Sequence, residues 1–194
     1  MHSVQGVAPQ PEAVVLVSGG IDSTACLAFC LELGYRTRGA FILYGQSAEA
    51  TEQRAAEDIA GHFNIEISVL RWSGRAKGPG MICGRNAFLL IAALLEMPTP
   101  ATILSLGIHA GTDYPDCGPE FVRNMQDIAD LYTGGCTQIA APFLDWTKGE
   151  IWDYCMSRDV PLALTYSCEN GVPGGCRACL SCRDREALDA RAPK

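Results

Sequence analysis

The chain has 194 residues, 48% of them hydrophobic and 19% charged, with a net charge of −7. That composition excludes a disordered polymer, and the length suits one domain that buries roughly 70% of its unfolded surface. The acidic balance argues against an extended nucleic-acid surface. Apolar runs such as residues 87–95 are too short to span a bilayer, and the opening residues lack a basic-then-apolar leader, so a cytoplasmic protein with no membrane partner is expected.

In chain order, residues 1–12 read as a flexible tail. Residues 13–17 are a short β-branched run, predicted to be a fully buried strand. Ser18-Gly19-Gly20 breaks it, and residues 21–33 carry helical spacing with Gly34 at the C-terminal cap. A second strand is predicted over 39–44, a helix over 49–63 and a third strand over 65–70. Residues 71–84, rich in Gly, Lys and Arg, read as a loop. Residues 86–97 are apolar almost all round, which predicts a buried helix. A strand over 101–106, a helix over 119–132, a short strand over 137–141 and a helix over 147–157 with Thr147 near its cap complete the pattern.

Strands alternating with helices predict an α/β domain over 13–160, built on a doubly wound parallel sheet. Ligands of such sheets bind outside the carboxyl ends of the strands, so the loops after Val17, Tyr44, Leu70 and Leu106 are where a site is expected. Residues 161–194 differ in kind: a cysteine-rich knot and a short terminal helix, an appendage without its own core.

The first of those loops reads Val17-Ser18-Gly19-Gly20-Ile21-Asp22-Ser23-Thr24. Glycines let backbone N–H groups approach an anion, and the following helix aims its positive end at the same point. Ser18, Ser23 and Thr24 add hydroxyls, and Asp22 is a hard oxygen ligand suited to Mg²⁺ beside phosphates. No Lys follows the glycines, so this is not a GxxxxGK[ST] loop. The competing reading is an ordinary βα turn with a serine N-cap.

Of the ten cysteines, Cys26, Cys30, Cys83, Cys117, Cys136 and Cys155 are scattered, while Cys168, Cys176, Cys179 and Cys182 are crowded together. The split favours a reducing compartment and one local metal site. Four thiolates suit a closed, structural Zn²⁺ centre; an iron–sulfur cluster is the rival occupant.

SGGIDS resembles the pyrophosphate-binding loop of the PP-loop ATP pyrophosphatases. The resemblance implies an adenine nucleotide alpha hydrolase-like, HUP-type fold and ATP-driven adenylation of a carboxyl, carbonyl or amide oxygen. YSCENG and CRACLSCRDRE resemble the C-terminal signature of the 7-cyano-7-deazaguanine synthase family. Tyr44-Gly45-Gln46, Gly84-Arg85-Asn86, Tyr114-Pro115-Asp116-Cys117 and Trp146-Thr147-Lys148-Gly149-Glu150 match that family in the same order. It implies a deazaguanine carboxylic acid, ammonia and ATP as substrates, Mg²⁺ and a structural Zn²⁺ as cofactors, and a homodimer. The nucleotide would meet Ser18, Gly19, Gly20, Asp22, Ser23, Thr24, Tyr44, Gln46, Arg85 and Lys148; of these, Asp22, Ser23, Arg85 and Lys148 are the candidate catalytic residues. Asn86, His109, Asp113, Tyr114 and Asp116 are candidates for the substrate, with Asp113 or Asp116 reading the guanine-like edge. Each has a plainer alternative: Lys148 and Arg85 as solvated residues, Asp116 as a cap on the following helix, His109 as a satisfied loop histidine. Cys117 either lines the site or is a packed thiol.

The chain departs from the family pattern in the substrate half. Ser47-Ala48 stand where the family has Arg-His, Gly118 stands where it has Arg, and the loops before Arg85 and Tyr114 are shortened. A relative that stops at the amide, or couples the acid to another amine, would carry the same motifs. So would a tRNA-modifying PP-loop enzyme, which the acidic charge disfavours.

Overall fold

The computed structural model describes residues 10–74, 78, 80–97, 103–109, 111 and 114–191. Five strands form one sheet: β1 (Glu12–Leu16), β2 (Arg36–Leu43), β3 (Ile67–Arg71), β4 (Ile103–Ser105) and β5 (Gln138–Ala140). Their order is β3-β2-β1-β4-β5, and every neighbouring pair is parallel. Chain order runs outward from β1 to β2 and β3, then returns to β4 on the other side of β1. The crevice between β1 and β4 is therefore the topological switch point where such sheets bind ligands.

Central β1 is buried on both faces, and its pleat divides the core. Ala13, Val15 and Val17 face α1 (Ile21–Glu32), α2 (Glu49–Phe63) and α5 (Lys148–Ser157). Val14 and Leu16 face α3 (Arg85–Glu96) and α4 (Pro119–Thr133). On the first side Phe143 is fully buried, edge-on to Phe29 at 5.7 Å and tilted against Trp146 at 4.9 Å.

The predicted elements are present with shifted ends. β2 starts at Arg36 rather than 39 because its polar first residues find partners: Arg38 pairs with Glu12 across the sheet at 2.9 Å. The predicted burial of the third helix is corrected. In α3 only Asn86, Leu90 and Ala93 are buried, and Leu95 is 81% exposed. A helix lying on a sheet face has one side against the core, so all-round apolarity did not translate into burial.

After a short 3-10 turn (Leu162–Leu164), the chain forms the cysteine knot and α6 (Leu180–Asp189). Leu162 and Leu188 insert into the first core cluster. Arg185 of α6 donates to Thr165 Oγ1 at 2.7 Å and to the Leu162 carbonyl at 3.1 Å, and lies 5.6 Å from the centre of the Trp152 ring. Among the described residues no helix is long and apolar enough to cross a membrane.

Candidate active site

The turn after β1 is built by its own hydroxyls. Ser23 Oγ donates to the Gly20 carbonyl at 3.0 Å and accepts from the Ser18 amide at 3.1 Å, while Thr24 Oγ1 donates to the same carbonyl at 2.8 Å. Gly20, not a serine, is the N-cap of α1, and no side chain caps that helix. The serine-cap alternative therefore does not hold. Gly19 has φ +81, and a Cβ there would lie 2.8 Å from the Glu52 carbonyl oxygen and 2.9 Å from Ala55 Cβ. Both backbone conformation and space require glycine.

Three charged or titratable groups from distant parts of the chain meet at this turn. Lys148 Nζ contacts both Asp22 oxygens, at 2.6 and 2.5 Å, and His109 Nε2 lies 3.8 Å from Asp22 Oδ2. Lys148 is the first residue of α5, where the helix dipole disfavours a cation. A capping box offsets this: the Glu150 amide donates to Thr147 Oγ1 at 3.3 Å, and the Thr147 amide to Glu150 Oε2 at 2.7 Å. That box holds the start of α5 in place, so the lysine reaches the carboxylate from a fixed base. Gly107, just after β4, allows the approach from the other side. A Cβ there would sit 2.6 Å from the Asp22 carbonyl carbon and 2.8 Å from the Ser23 nitrogen.

His109 is buried, and its Nδ1 accepts from the Gly111 amide at 3.0 Å, which places the neutral ring's proton on Nε2, facing Asp22. Burial holds this imidazole below its ordinary value; Asp22 pulls upward, Lys148 pushes down, and Asp184 of α6 pulls upward more weakly. The folded ring thus takes up a proton less readily than the unfolded one, which titrates near its ordinary value. Its contribution is complete above about pH 6.5 and is lost as pH falls toward the folded value, with a slope of at most about 1.4 kcal/mol per pH unit. Urea midpoints are expected to fall between pH 7 and pH 5, and His109→Gln to flatten part of that fall. An identical slope in the variant would remove the assignment.

A second group gathers at the ends of β2 and α3. Gln46 is buried and its amide is spent on the loop: Oε1 accepts from the Tyr44 amide at 2.9 Å, and Nε2 donates to the Ile42 carbonyl at 3.2 Å and Glu52 Oε2 at 3.1 Å. Burial raises the Glu52 carboxyl, opposed by the Gln46 hydrogen bond and the Arg85 charge. Burial also raises the Tyr44 phenol, with Arg85 acting against it. Arg85, first residue of α3, is thus close enough to Tyr44 and Glu52 for its charge to act on both, while its Nε donates to Asn86 Oδ1 at 3.3 Å. The sequence reading missed Glu52 and Gly107; Gly107 lies just beyond the ligand-facing end of β4, a signal that was available, whereas Glu52 sits in the first turn of α2, where an acidic residue is ordinary.

Asn86 and Asp116 hold each other. The Asn86 amide donates to Asp116 Oδ2 at 3.2 Å, and its Nδ2 donates to the Asp116 carbonyl at 2.9 Å. Asp116 therefore caps α3 rather than the helix that follows it, tying the 3-10 turn Pro115–Cys117 to that helix. Cys117 is a buried thiol in the second core cluster, with Tyr114 packed against the same cluster. Asp113 lies outside the described residues.

In the appendage, the four sulfur atoms of Cys168, Cys176, Cys179 and Cys182 lie within 4.8 Å of one another. A tetrahedral zinc thiolate needs about 3.8 Å between sulfurs, so a small closure suffices. Backbone amides already support thiolates: Cys176 N donates to Cys168 Sγ and Cys179 N to Cys176 Sγ, each at 3.3 Å. The Cys179 and Ala178 amides, with Asn170, hold the Cys176 thiol down to about 6. The donor set fits a metal with a closed shell of four sulfurs.

A parallel sheet whose switch point holds a glycine turn, a carboxylate and a lysine defines a PP-loop ATPase-type α/β fold. Solved structures agree at the level of fold. The predicted subunit of a tRNA methyltransferase from Methanocaldococcus jannaschii matches with a TM-score of 0.53 at 16% identity, over 75% of this chain and 74% of that one. A 4-thiouridine synthetase, solved with RNA and bound ATP, matches with a TM-score of 0.53 at 16% identity, over 93% of this chain and 50% of that one.

The family is narrower. The model of the family described as queuosine biosynthesis protein QueC matches residues 12–78 and 76–190, and the chain belongs to that family. It is 32% identical to the 7-cyano-7-deazaguanine synthase of Gloeothece citriformis, over 95% of this chain and 94% of that protein. It is also 32% identical to the enzyme of the same name from Synechococcus sp. (strain RCC307), over 90% and 92%. The first alignment runs over 217 positions, more than this chain's 194 residues, so that relative carries segments this chain lacks.

Proposed function

We propose that this chain is an ATP-dependent enzyme that converts 7-carboxy-7-deazaguanine and ammonia into 7-cyano-7-deazaguanine. The observation that carries the reading is the meeting of the Ser18–Thr24 turn with Asp22, Lys148 and His109 at the β1/β4 crevice. A carboxylate oxygen of the acid attacks the α-phosphorus of ATP, and pyrophosphate leaves. The amides of the turn and Lys148 balance the charge that builds on pyrophosphate. Ammonia then attacks the acyl carbon, AMP departs and a proton is released, giving the amide. The amide oxygen then attacks the α-phosphorus of a second ATP, releasing pyrophosphate and one N–H proton; loss of AMP and the second N–H proton gives the nitrile.

Asp22 and the phosphates offer oxygen ligands suited to Mg²⁺, which when bound would neutralise phosphate charge. Releasing Asp22 for that task requires Lys148 to turn from the carboxylate to the phosphates, a short swing for a flexible side chain already at the turn. Arg85, beside Tyr44 and Glu52, is placed to clamp the acid's carboxylate. The cysteine knot binds Zn²⁺ as a structural ion, and two copies of the chain associate. The exposed Leu95 of α3, and Leu131 and Tyr132 of α4, favour a partner surface on that side.

Incubation with the acid, ammonia and MgATP followed by mass spectrometry tests the reading. Nitrile, AMP and pyrophosphate are expected, with two ATP consumed per nitrile. Amide accumulating without nitrile would reduce the reaction to its first half, and ATP use that requires RNA instead would overturn it.

A further inference from the structure

We infer that the metal knot and the pyrophosphate-binding turn are one coupled unit, and that Tyr166 is a positioning residue which aims the Gly20 amide at the phosphates. The inference rests on the nucleotide and zinc reading above and goes beyond it, since a merely structural metal would leave the turn unaffected.

The backbone N–H of Tyr166 donates to the Gly19 carbonyl at 2.8 Å. The Gly19 carbonyl and the Gly20 N–H belong to one planar trans peptide and point in opposite directions. Whatever fixes the carbonyl fixes the amide. Gly19 sits at φ +81, and on the amide side the Gly20 N–H donates only a long 3.4 Å bond to Ser18 Oγ, so the Tyr166 bond is the shorter hold on this peptide. Tyr166 thus sets the direction of a donor in the turn, although its side chain points elsewhere: its hydroxyl donates to the Val172 carbonyl at 2.9 Å, inside the knot.

A second tie lies three residues on. Ser47 Oγ, in the loop after β2, donates to the Glu169 carbonyl at 2.5 Å. Backbones touch there too: a Cβ on Gly171 would stand 2.6 Å from the Ser47 carbonyl oxygen. Glu169 is in turn fixed from the knot side, its carboxylate accepting from the Ser181 amide at 3.2 Å and hydroxyl at 2.7 Å in the first turn of α6. The metal-ligating Cys168 lies between the two ties, two residues after Tyr166 and one before Glu169. A metal that holds Cys168 holds both ties, and the ties hold the two loops that frame the nucleotide site.

Coupling of this kind is reciprocal: pyrophosphate must raise zinc affinity by the factor by which zinc raises pyrophosphate affinity. The test uses the purified full chain with its zinc, inorganic pyrophosphate as the probe, and a chelator competition at buffered free zinc. Zinc content and pyrophosphate affinity are measured separately. Pyrophosphate is expected to tighten zinc binding by roughly 5- to 20-fold, within the usual range for coupled sites. Tyr166→Pro, which deletes the N–H, is expected to keep one zinc per chain yet bind pyrophosphate more weakly and lose the tightening. Tyr166→Phe keeps the N–H and is expected to keep the coupling. Ser47→Ala, which leaves the backbone intact, is expected to weaken the coupling and carries the test should the proline variant not fold. A chain that binds both ligands with no mutual effect, or a Ser47→Ala variant with undiminished coupling, overturns the inference alone. A chain that holds zinc but binds no pyrophosphate overturns the underlying reading and the inference with it.

Discussion

Asp22→Asn is expected to act in opposite directions on binding and on turnover. In the free chain Asp22 and Lys148 neutralise each other across 2.5–2.6 Å. Both side chains are partly open to solvent, at 22% and 29% exposure, so the pair is accessible to an incoming anion. Removing the carboxylate charge leaves Lys148 free for phosphate, and metal-free pyrophosphate binding is expected to tighten several-fold, about 1 kcal/mol for a partly exposed charge pair. AMP formation with MgATP is expected to fall by about 10³, the scale for losing one organising group at a site of developing charge. Lys148→Met is expected to weaken both. Isothermal titration with pyrophosphate and a radiolabelled AMP assay separate these outcomes. An Asp22→Asn variant with unchanged pyrophosphate affinity and normal turnover would show the pair to be scaffold, and the site would have to be sought elsewhere.

Much of this arrangement is legible before any fold is known, for reasons that are local. The glycine turn reads as an anion cradle because Gly19, Gly20, Ser18 and Ser23 act on atoms within five residues of one another. The four cysteines read as one site because the chain needs only short turns to gather them. β1 reads as a buried strand because both faces of its pleat are covered.

What the sequence hides is how side chains far apart in the chain satisfy one another. Gln46 resembles a ligand-binding residue, yet its amide is consumed by Tyr44, Ile42 and Glu52. Asp116 caps α3 through the Asn86 amide thirty positions away and receives the Asn86 side chain on its carbonyl in return, a use of polar groups that motif matching cannot separate from substrate contact. The tie from Tyr166 to Gly19 leaves no trace at all, since a backbone N–H carries no residue identity. The apolar helix α3 misled in the other direction. Periodicity reports how much apolar surface a helix has and stays silent about whether this chain covers it, and Leu95 remains open.

Metal removal is expected to unfold the knot before the sheet. Between residues 166 and 191 only Cys168, Cys182 and Leu188 are buried, and two of those three are the proposed ligands. Leu180 and Val172 are exposed, so hydrophobic burial supplies little there and the metal must supply the rest. Losing one ligand, as in Cys179→Ser, is expected to lower the melting temperature by about 10 °C, since each kcal/mol moves a chain of this size by roughly 2–4 °C. Thiol chemistry gives a sharper readout than the melt, because the ten cysteines fall into three classes. Cys83 and Cys136 are exposed and are expected to react with a thiol reagent in the native protein. Cys26, Cys30, Cys117 and Cys155 are buried outside the knot and are expected to react only on global unfolding. The four knot thiols are expected to be silent with metal bound and to react together when a chelator is added, with the sheet still intact by circular dichroism. Knot thiols that react at the rate of Cys83 in untreated protein, with no zinc found by elemental analysis, would show that α6 is held by Leu188 and Arg185 alone.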